Sequence, residues 1–158
     1  MSEAEDPEEL HLDLPAAHSA GRMARQVLGR FVREHGVSEE DAGNLEFVTS
    51  ELLSNAVDHG GGGAAMEESD LTSDVRMQLH ARVTDGQWEI RVADQGGGDP
   101  AELEPFLDTA GLPDLEDERG RGFFLLAQMV DELTVGVSPD GKGLEFVARK
   151  RLEAGGGA

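Results

Sequence analysis

Residues 75–94, VRMQLHARVTDGQWEIRVAD, constrain the fold more than any other stretch of the chain. Val75, Met77, Leu79, Ala81 and Val83 fall on alternate positions, and so do Trp88, Ile90 and Val92. Alternation at period two marks strands with one buried and one wet face. Between the runs stands Asp85–Gly86, a dipeptide suited to a tight hairpin turn. Two strands joined this closely are antiparallel, and the expected frame is a sheet covered on one side only. LTVGV and GLEFVARKRL, joined by SPDGKG, read as a second such pair, and HLDLPA (11–16) as a short edge strand that stops at Pro15.

Helical spacing supplies the cover for the open face. Ala20, Met23, Val27, Leu28 and Phe31 predict an amphipathic helix from Ser19 to Glu34, closed by Gly36. Ser38 followed by Asp41 has the form of a capping box. It opens a second helix through Leu45, Val48, Leu52 and Ala56 that stops at His59–Gly60. A third helix is expected over GFFLLAQMVDEL (122–133). Residues 61–74, glycine-rich and then acidic, read as a mobile loop, and 95–119, with no sustained period, as a long functional one. The order helix, helix, hairpin, loop, helix, hairpin predicts an α+β fold, a mostly antiparallel sheet with helices on one face. The acidic residues 1–11 and the final 153–158 are expected to be disordered tails on one domain of residues 12–152.

Charge narrows the partners. With 33 Asp and Glu against 13 Lys and Arg, the net charge is −20, so no direct contact with nucleic acid or an anionic membrane is expected. A phosphate ligand would have to be held by backbone N–H groups, local dipoles, a few cations or a metal ion. The absence of Cys excludes disulfides and thiolate metal sites. No apolar run is long enough to span a bilayer, and the N-terminus lacks a signal peptide's basic and apolar regions, so a cytoplasmic location is expected.

Three constellations carry chemistry. In TSELLSNAVDHG, Glu51, Asn55 and His59 recur every four residues and form one row beside the apolar row of the second helix. A carboxylate next to an amide oxygen suits Mg²⁺, or the carboxylate serves as a general base; the plainer alternative is a solvated helix face. In VADQGGGDP, Asp94 ends a strand and Gly96–Gly98 follow. Such an Asp can accept from a ligand amine while the glycines admit a flat group, unless it is simply a turn. In ERGRGFFLLAQM, Gly120 and Gly122 open a helix among Arg119 and Arg121. This is an anion cradle, or a flexible start whose arginines offset the acidic run before it. Together the three make the parts of a nucleotide pocket, with the long loop between the last two as a lid.

The sequence resembles the GHKL-type (Bergerat) ATP-binding domain shared by gyrase, the heat-shock chaperone, histidine kinases and mismatch-repair proteins. Within that group it is most similar to the small bacterial anti-sigma-factor serine/threonine kinases. ELLSNAVDHG resembles their N box, ADQGGG the first glycine box, and RGRGFFLLAQMVDEL the second. The resemblance implies a two-layer α/β sandwich that holds ATP and Mg²⁺. On it, Glu51 is the catalytic base, Asn55 the Mg²⁺ ligand, and Asp94 the partner of the adenine amine, with Gly96 and Gly98 under the ring. His59, Arg119, Gly120, Arg121, Gly122 and Phe123 match the remaining box positions that serve the nucleotide. The implied function is phosphorylation of an antagonist (anti-anti-sigma-like) protein and sequestration of a sigma factor, with homodimer formation. The alternative is a non-catalytic module whose nucleotide state controls partner binding. With about 40 residues before the second helix, no phospho-acceptor histidine domain is expected. His11, His18, His35 and His80 read as surface residues. Two departures stand out: Asp99–Pro100 follow Gly98 directly, and Gly143 occupies the region where relatives place a threonine near the adenine, which implies weaker adenine binding.

Overall fold

A computed structural model describes residues 8–84, 86–107 and 118–152, with the backbone alone at 104–107 and 118–121. Five antiparallel strands form one sheet: β1 (Glu8–Pro15), β2 (Arg76–Val83), β3 (Gln87–Ala93), β4 (Glu132–Val137) and β5 (Leu144–Arg151). Their order across the sheet is β1-β2-β3-β5-β4. The register sets Ile90 between Ala81 and Ala148, and Val92 between Leu79 and Phe146. The alternate residues therefore share one face, as the period-two pattern requires.

That face is buried by α1 (His18–Glu34) and α2 (Glu39–His59). Leu28 and Val32 of α1 and Leu45, Val48, Leu52 and Val57 of α2 are fully buried, as are Met77, Leu79, Trp88 and Ile90 of the sheet. Each such side chain contributes about 1.5–3 kcal/mol through the water it sheds. Ser38 caps α2 by accepting from the Asp41 N–H at 3.1 Å. The expected return bond to the Ser38 backbone is replaced by the Ser38 hydroxyl donating to the Asp41 carboxylate, also at 3.1 Å.

Four elements depart from the sequence reading. β1 starts at Glu8, so residues 8–11 of the expected tail pair with 80–83. The Glu9 carboxylate reaches His80 Nε2 at 2.6 Å, a side-chain contact across the β1–β2 pair. The third helix, α4 (Glu118–Met129), starts earlier and ends earlier than its apolar pattern suggests. Leu133 leaves it for the sheet opposite Ala148, and the Asp131 N–H donates to Arg149 O at 2.9 Å. Part of the segment read as period-free is α3 (Pro100–Leu107). Asp99 caps it, its side chain accepting from the Ala101 N–H at 3.0 Å, and Pro100 takes the first helical position, where no N–H is needed. Residues 108–117 of that segment, like Asp85 of the hairpin turn, lie outside the described residues.

The last departure is the glycine-rich stretch after α2, which is bonded in place where a mobile loop is expected. The Ala64 N–H donates to Val57 O at 3.0 Å, and Ala65 O and Met66 O accept from the His18 and Ser19 N–H groups, both at 2.9 Å. Those two donors are orphans of the α1 N-terminus, which has no side-chain cap. The loop therefore caps α1 with its backbone, and a further turn, Glu68–Asp70, follows it.

Candidate functional site

α2 positions the site because its buried row and its polar row are adjacent. Leu52 and Ala56 point into the core, while Glu51, Ser54, Asn55, Asp58 and His59 line a cleft of about 290 Å³. The opposite wall is Gly122, Phe123 and Leu126 of α4. Phe123 is buried and stacks on Phe146 of the sheet, ring centroids 5.3 Å apart. Glu51 and Asn55 are half-buried and His59 is exposed. Thus the N-box row and the start of the second glycine box, far apart in sequence, face the same space.

The electrostatics of this cleft are one-sided. It is lined by two carboxylates, Glu51 and Asp58, and by no Lys or Arg among the described residues. It also sits at the C-terminal half of α2, where the helix dipole is negative. A triphosphate alone would be repelled there. A divalent cation with an oxygen ligand set, keeping several waters, fits the donors present: the Glu51, Asn55 and Asp58 oxygens. No group of three or more His, Cys, Asp or Glu among the described residues makes a self-sufficient metal cage. That suits a metal brought with phosphates rather than one held by protein alone.

Asp94 is elsewhere. It ends β3 at 3% exposure and borders a recess of about 10 Å³ with Arg76, Gln95 and Asp140, not the cleft. Its Oδ1 accepts from the Gly96 N–H at 3.1 Å and the Leu144 N–H at 3.0 Å. Three glycines surround the carboxylate. A β-carbon on Gly60 would lie 2.5 Å from Asp94 Oδ2, one on Gly143 would collide with Oδ1, and one on Gly96 would strike the Gly60 backbone. Gly96 here lets the end of α2 approach the end of β3. Gly143 is where it is because no side chain fits, and its N–H is taken by the Ser138 hydroxyl at 3.0 Å. What faces Asp94 from β5 is Leu144, which donates a backbone N–H in place of a hydroxyl and packs against Gly98. Gly98 itself holds a φ of +102°, open to glycine at little cost.

The helix containing Arg119, Gly120, Arg121 and Gly122 begins at Glu118, so the first three belong to its opening turn and Gly122 starts the next. The side chains of Arg119 and Arg121 lie outside the described residues. Sequence reasoning missed Ser54 and Asp58, which line the cleft with Glu51 and Asn55. The signal was present: Ser54 is three residues after Glu51, and Asp58 three after Asn55, so both share that face. His11, His18, His35 and His80 are partly or fully exposed, and each has a close neighbour. His11 stacks on His80 at 4.7 Å, His18 pairs with Asp58 at 2.8 Å, and His35 with Glu8 at 3.3 Å.

An antiparallel sheet under a helical layer, with a carboxylate–amide row on the central helix, defines an ATPase-type α+β sandwich. The histidine kinase-like ATPase domain matches residues 14–148, and the chain belongs to that family. It is 28% identical to an anti-sigma F factor of Halalkalibacterium halodurans over 133 residues, covering 83% of this chain and 84% of that protein. It is also 28% identical to the serine-protein kinase RsbW of Staphylococcus epidermidis over 131 residues, covering 80% and 77%. Two solved structures share the fold. One contains the RsbU and RsbW domains of Rv1364c from Mycobacterium tuberculosis (TM-score 0.60, 22% identity, 92% of this chain and 32% of that longer one). The other is the SiaB–SiaC complex of Pseudomonas aeruginosa (TM-score 0.63, 15% identity, 90% and 88%). No helix among the described residues is long and apolar enough to cross a membrane.

Proposed function

We propose that this chain is an ATP-dependent serine/threonine protein kinase of the anti-sigma type, which phosphorylates an antagonist protein and sequesters a sigma factor in the cytoplasm. The observation that carries the reading is the shared cleft of Glu51, Asn55, Gly122 and Phe123. Glu51 takes the proton of the acceptor hydroxyl, and Asn55, one helical turn on, supplies a neutral oxygen to Mg²⁺. When bound, the ion would neutralise phosphate charge beside the Glu51 and Asp58 carboxylates. The similarity to an anti-sigma F factor and to the serine-protein kinase RsbW supports the same reading.

The test is transfer of radiolabelled phosphate from ATP to a serine-bearing antagonist encoded beside this chain. Glu51→Gln removes the proton acceptor with little change in shape, so transfer drops by about 10²–10⁴ while nucleotide binding is kept. Tight nucleotide binding with no transfer by the wild type would overturn the enzymatic reading.

One observation favours a second reading, a non-catalytic module. The cleft of about 290 Å³ is at the low end for a ligand pocket and does not reach Asp94. Seating a purine against Asp94 then requires the pocket to open further, so occupancy would be coupled to a change of shape. Equal antagonist affinity for wild type and Glu51→Gln, both without turnover, would select this reading.

A further inference from the structure

Asp58 lies one turn beyond Asn55 on the same face of α2 and lines the same cleft, yet its contact leads away from the cleft. Its Oδ1 is 2.8 Å from Nε2 of His18, the first residue of α1. An ionised carboxylate only accepts, so Nε2 carries the proton. Oδ2 has no hydrogen-bond partner among the described residues. The backbone that carries the imidazole is held in turn: the His18 main-chain N–H donates to Ala65 O at 2.9 Å, and the neighbouring Ala64 N–H donates to Val57 O at 3.0 Å. Two backbone bonds thus run from the end of α2 through the glycine loop to His18, and one side-chain bond closes the circuit at Asp58.

Stapling α1 to α2 does not require this pair. Ala24, Leu28 and Val32 of α1 share one core with Leu45, Val48 and Leu52 of α2, and Arg33 of α1 bridges Glu39 and Glu46 of α2. The His18 and Asp58 side chains are 22% and 42% exposed, and an ion pair so wet adds little to stability. What the contact does fix is the direction of one carboxylate. His18 also lines a neighbouring cavity of about 320 Å³ that shares Ser54 with the cleft, so the pair stands on the wall between the two.

We propose that Asp58 is a further residue of the metal–phosphate end of this cleft, an acceptor for the waters of the cation, and that His18 is the positioning residue that holds it there. The proposal rests on the nucleotide reading above and adds two residues that sequence motifs did not supply. An outer-sphere carboxylate of this kind orients metal-bound water, and its own orientation is set by the group behind it.

Calorimetry of the full chain with a non-hydrolysable ATP analogue, in excess Mg²⁺ and again in EDTA, tests this. His18→Ala and Asp58→Asn are each expected to weaken binding in Mg²⁺ by about tenfold, the lower end for loss of an outer-shell partner, and to cause no loss of binding in EDTA, where Asp58→Asn instead removes a repelling charge. His18→Gln, whose amide nitrogen stands near the place of Nε2, is expected to restore affinity. The double variant His18→Ala with Asp58→Asn is expected to bind no worse than Asp58→Asn alone. Equal losses with and without Mg²⁺, full additivity in the double variant, or no rescue by Gln would overturn the proposal. Should His18→Ala fail to fold, Asp58→Asn carries the test, and wild-type affinity in Mg²⁺ would sink it. A wild type that binds no nucleotide at all would instead overturn the nucleotide reading itself.

Discussion

Two carboxylates of the candidate site, Glu51 and Asp94, have opposite surroundings. Glu51 stands half-buried on the wall of an open cleft, with Ser54, Asn55 and Asp58 on the same face of α2. Asp94 is enclosed, one oxygen bonded to two backbone N–H groups and the whole carboxylate walled by Gly60, Gly96 and Gly143. The difference is one of commitment. Asp94 joins the end of β3, the start of β5 and the end of α2, so the fold depends on it. Glu51 has no hydrogen bond or ion pair among the described residues, and it lines the cleft where a ligand would sit.

That contrast is breakable in the stability of variants. Asp94→Ala removes the acceptor of the buried Leu144 N–H and of the part-buried Gly96 N–H, and chemical denaturation is expected to show a loss of about 3 kcal/mol. A loss below about 1 kcal/mol would mean that Asp94 is as uncommitted as Glu51. Gly96→Ala drives a methyl into the Gly60–Gly61 backbone, and about 2 kcal/mol is the expected cost by the same measurement.

Glu89 sharpens the comparison, because it is committed to side chains instead of backbone. It sits at 7% exposure on the outer face of the sheet and accepts from Arg91 Nε at 2.8 Å and Arg149 Nε at 2.6 Å. Burial pushes its carboxyl up, but the hydrogen bonds from Arg91 and then Arg149 outweigh it and hold the group below the usual carboxylate range. A lowered folded pKa means that its stabilisation is complete above the unfolded value of about 4.3 and fades as pH falls through the lower folded one. Glu89→Gln is therefore expected to cost about 1 kcal/mol at neutral pH, since both arginines are one-third exposed. Thermal melts should show the gap between variant and wild type closing in acid. A gap constant down to the acid limit would refute the assignment.

Glu51→Gln gives the smallest change in stability, within about 0.5 kcal/mol, because no partner is left unsatisfied. It is also the variant expected to lose phosphotransfer. A large destabilisation here would move Glu51 into the same class as Asp94 and remove the ground for treating it as a base.

Legibility follows the range of the interactions. The hairpin alternation around Asp85–Gly86, the Ser38 cap and the face shared by Glu51 and Asn55 are set by residues within a turn or two of each other. The Asp99 cap before Pro100 was equally local and was passed over because the segment lacks a hydrophobic period. The end of α4 was not legible: Val130–Leu133 continues an apolar pattern that suits helix, and only the vacancy beside β5 claims Leu133 for a strand.

What the sequence by itself determined is the set of parts: five alternating strands, an amphipathic helix pair, and a carboxylate–amide row next to a buried one. Periodicity and capping are properties of neighbouring residues, so no fold is needed to see them. What only the tertiary structure decided is which parts share a space. The α2 row of Glu51 and Asn55 shares its cleft with Gly122 and Phe123 of α4, and His18 meets Asp58 from 40 residues away. Gly60, Gly96 and Gly143 close around Asp94 because three chain segments meet at its carboxylate. Such contacts depend on the packing of distant backbones, and no local pattern encodes them.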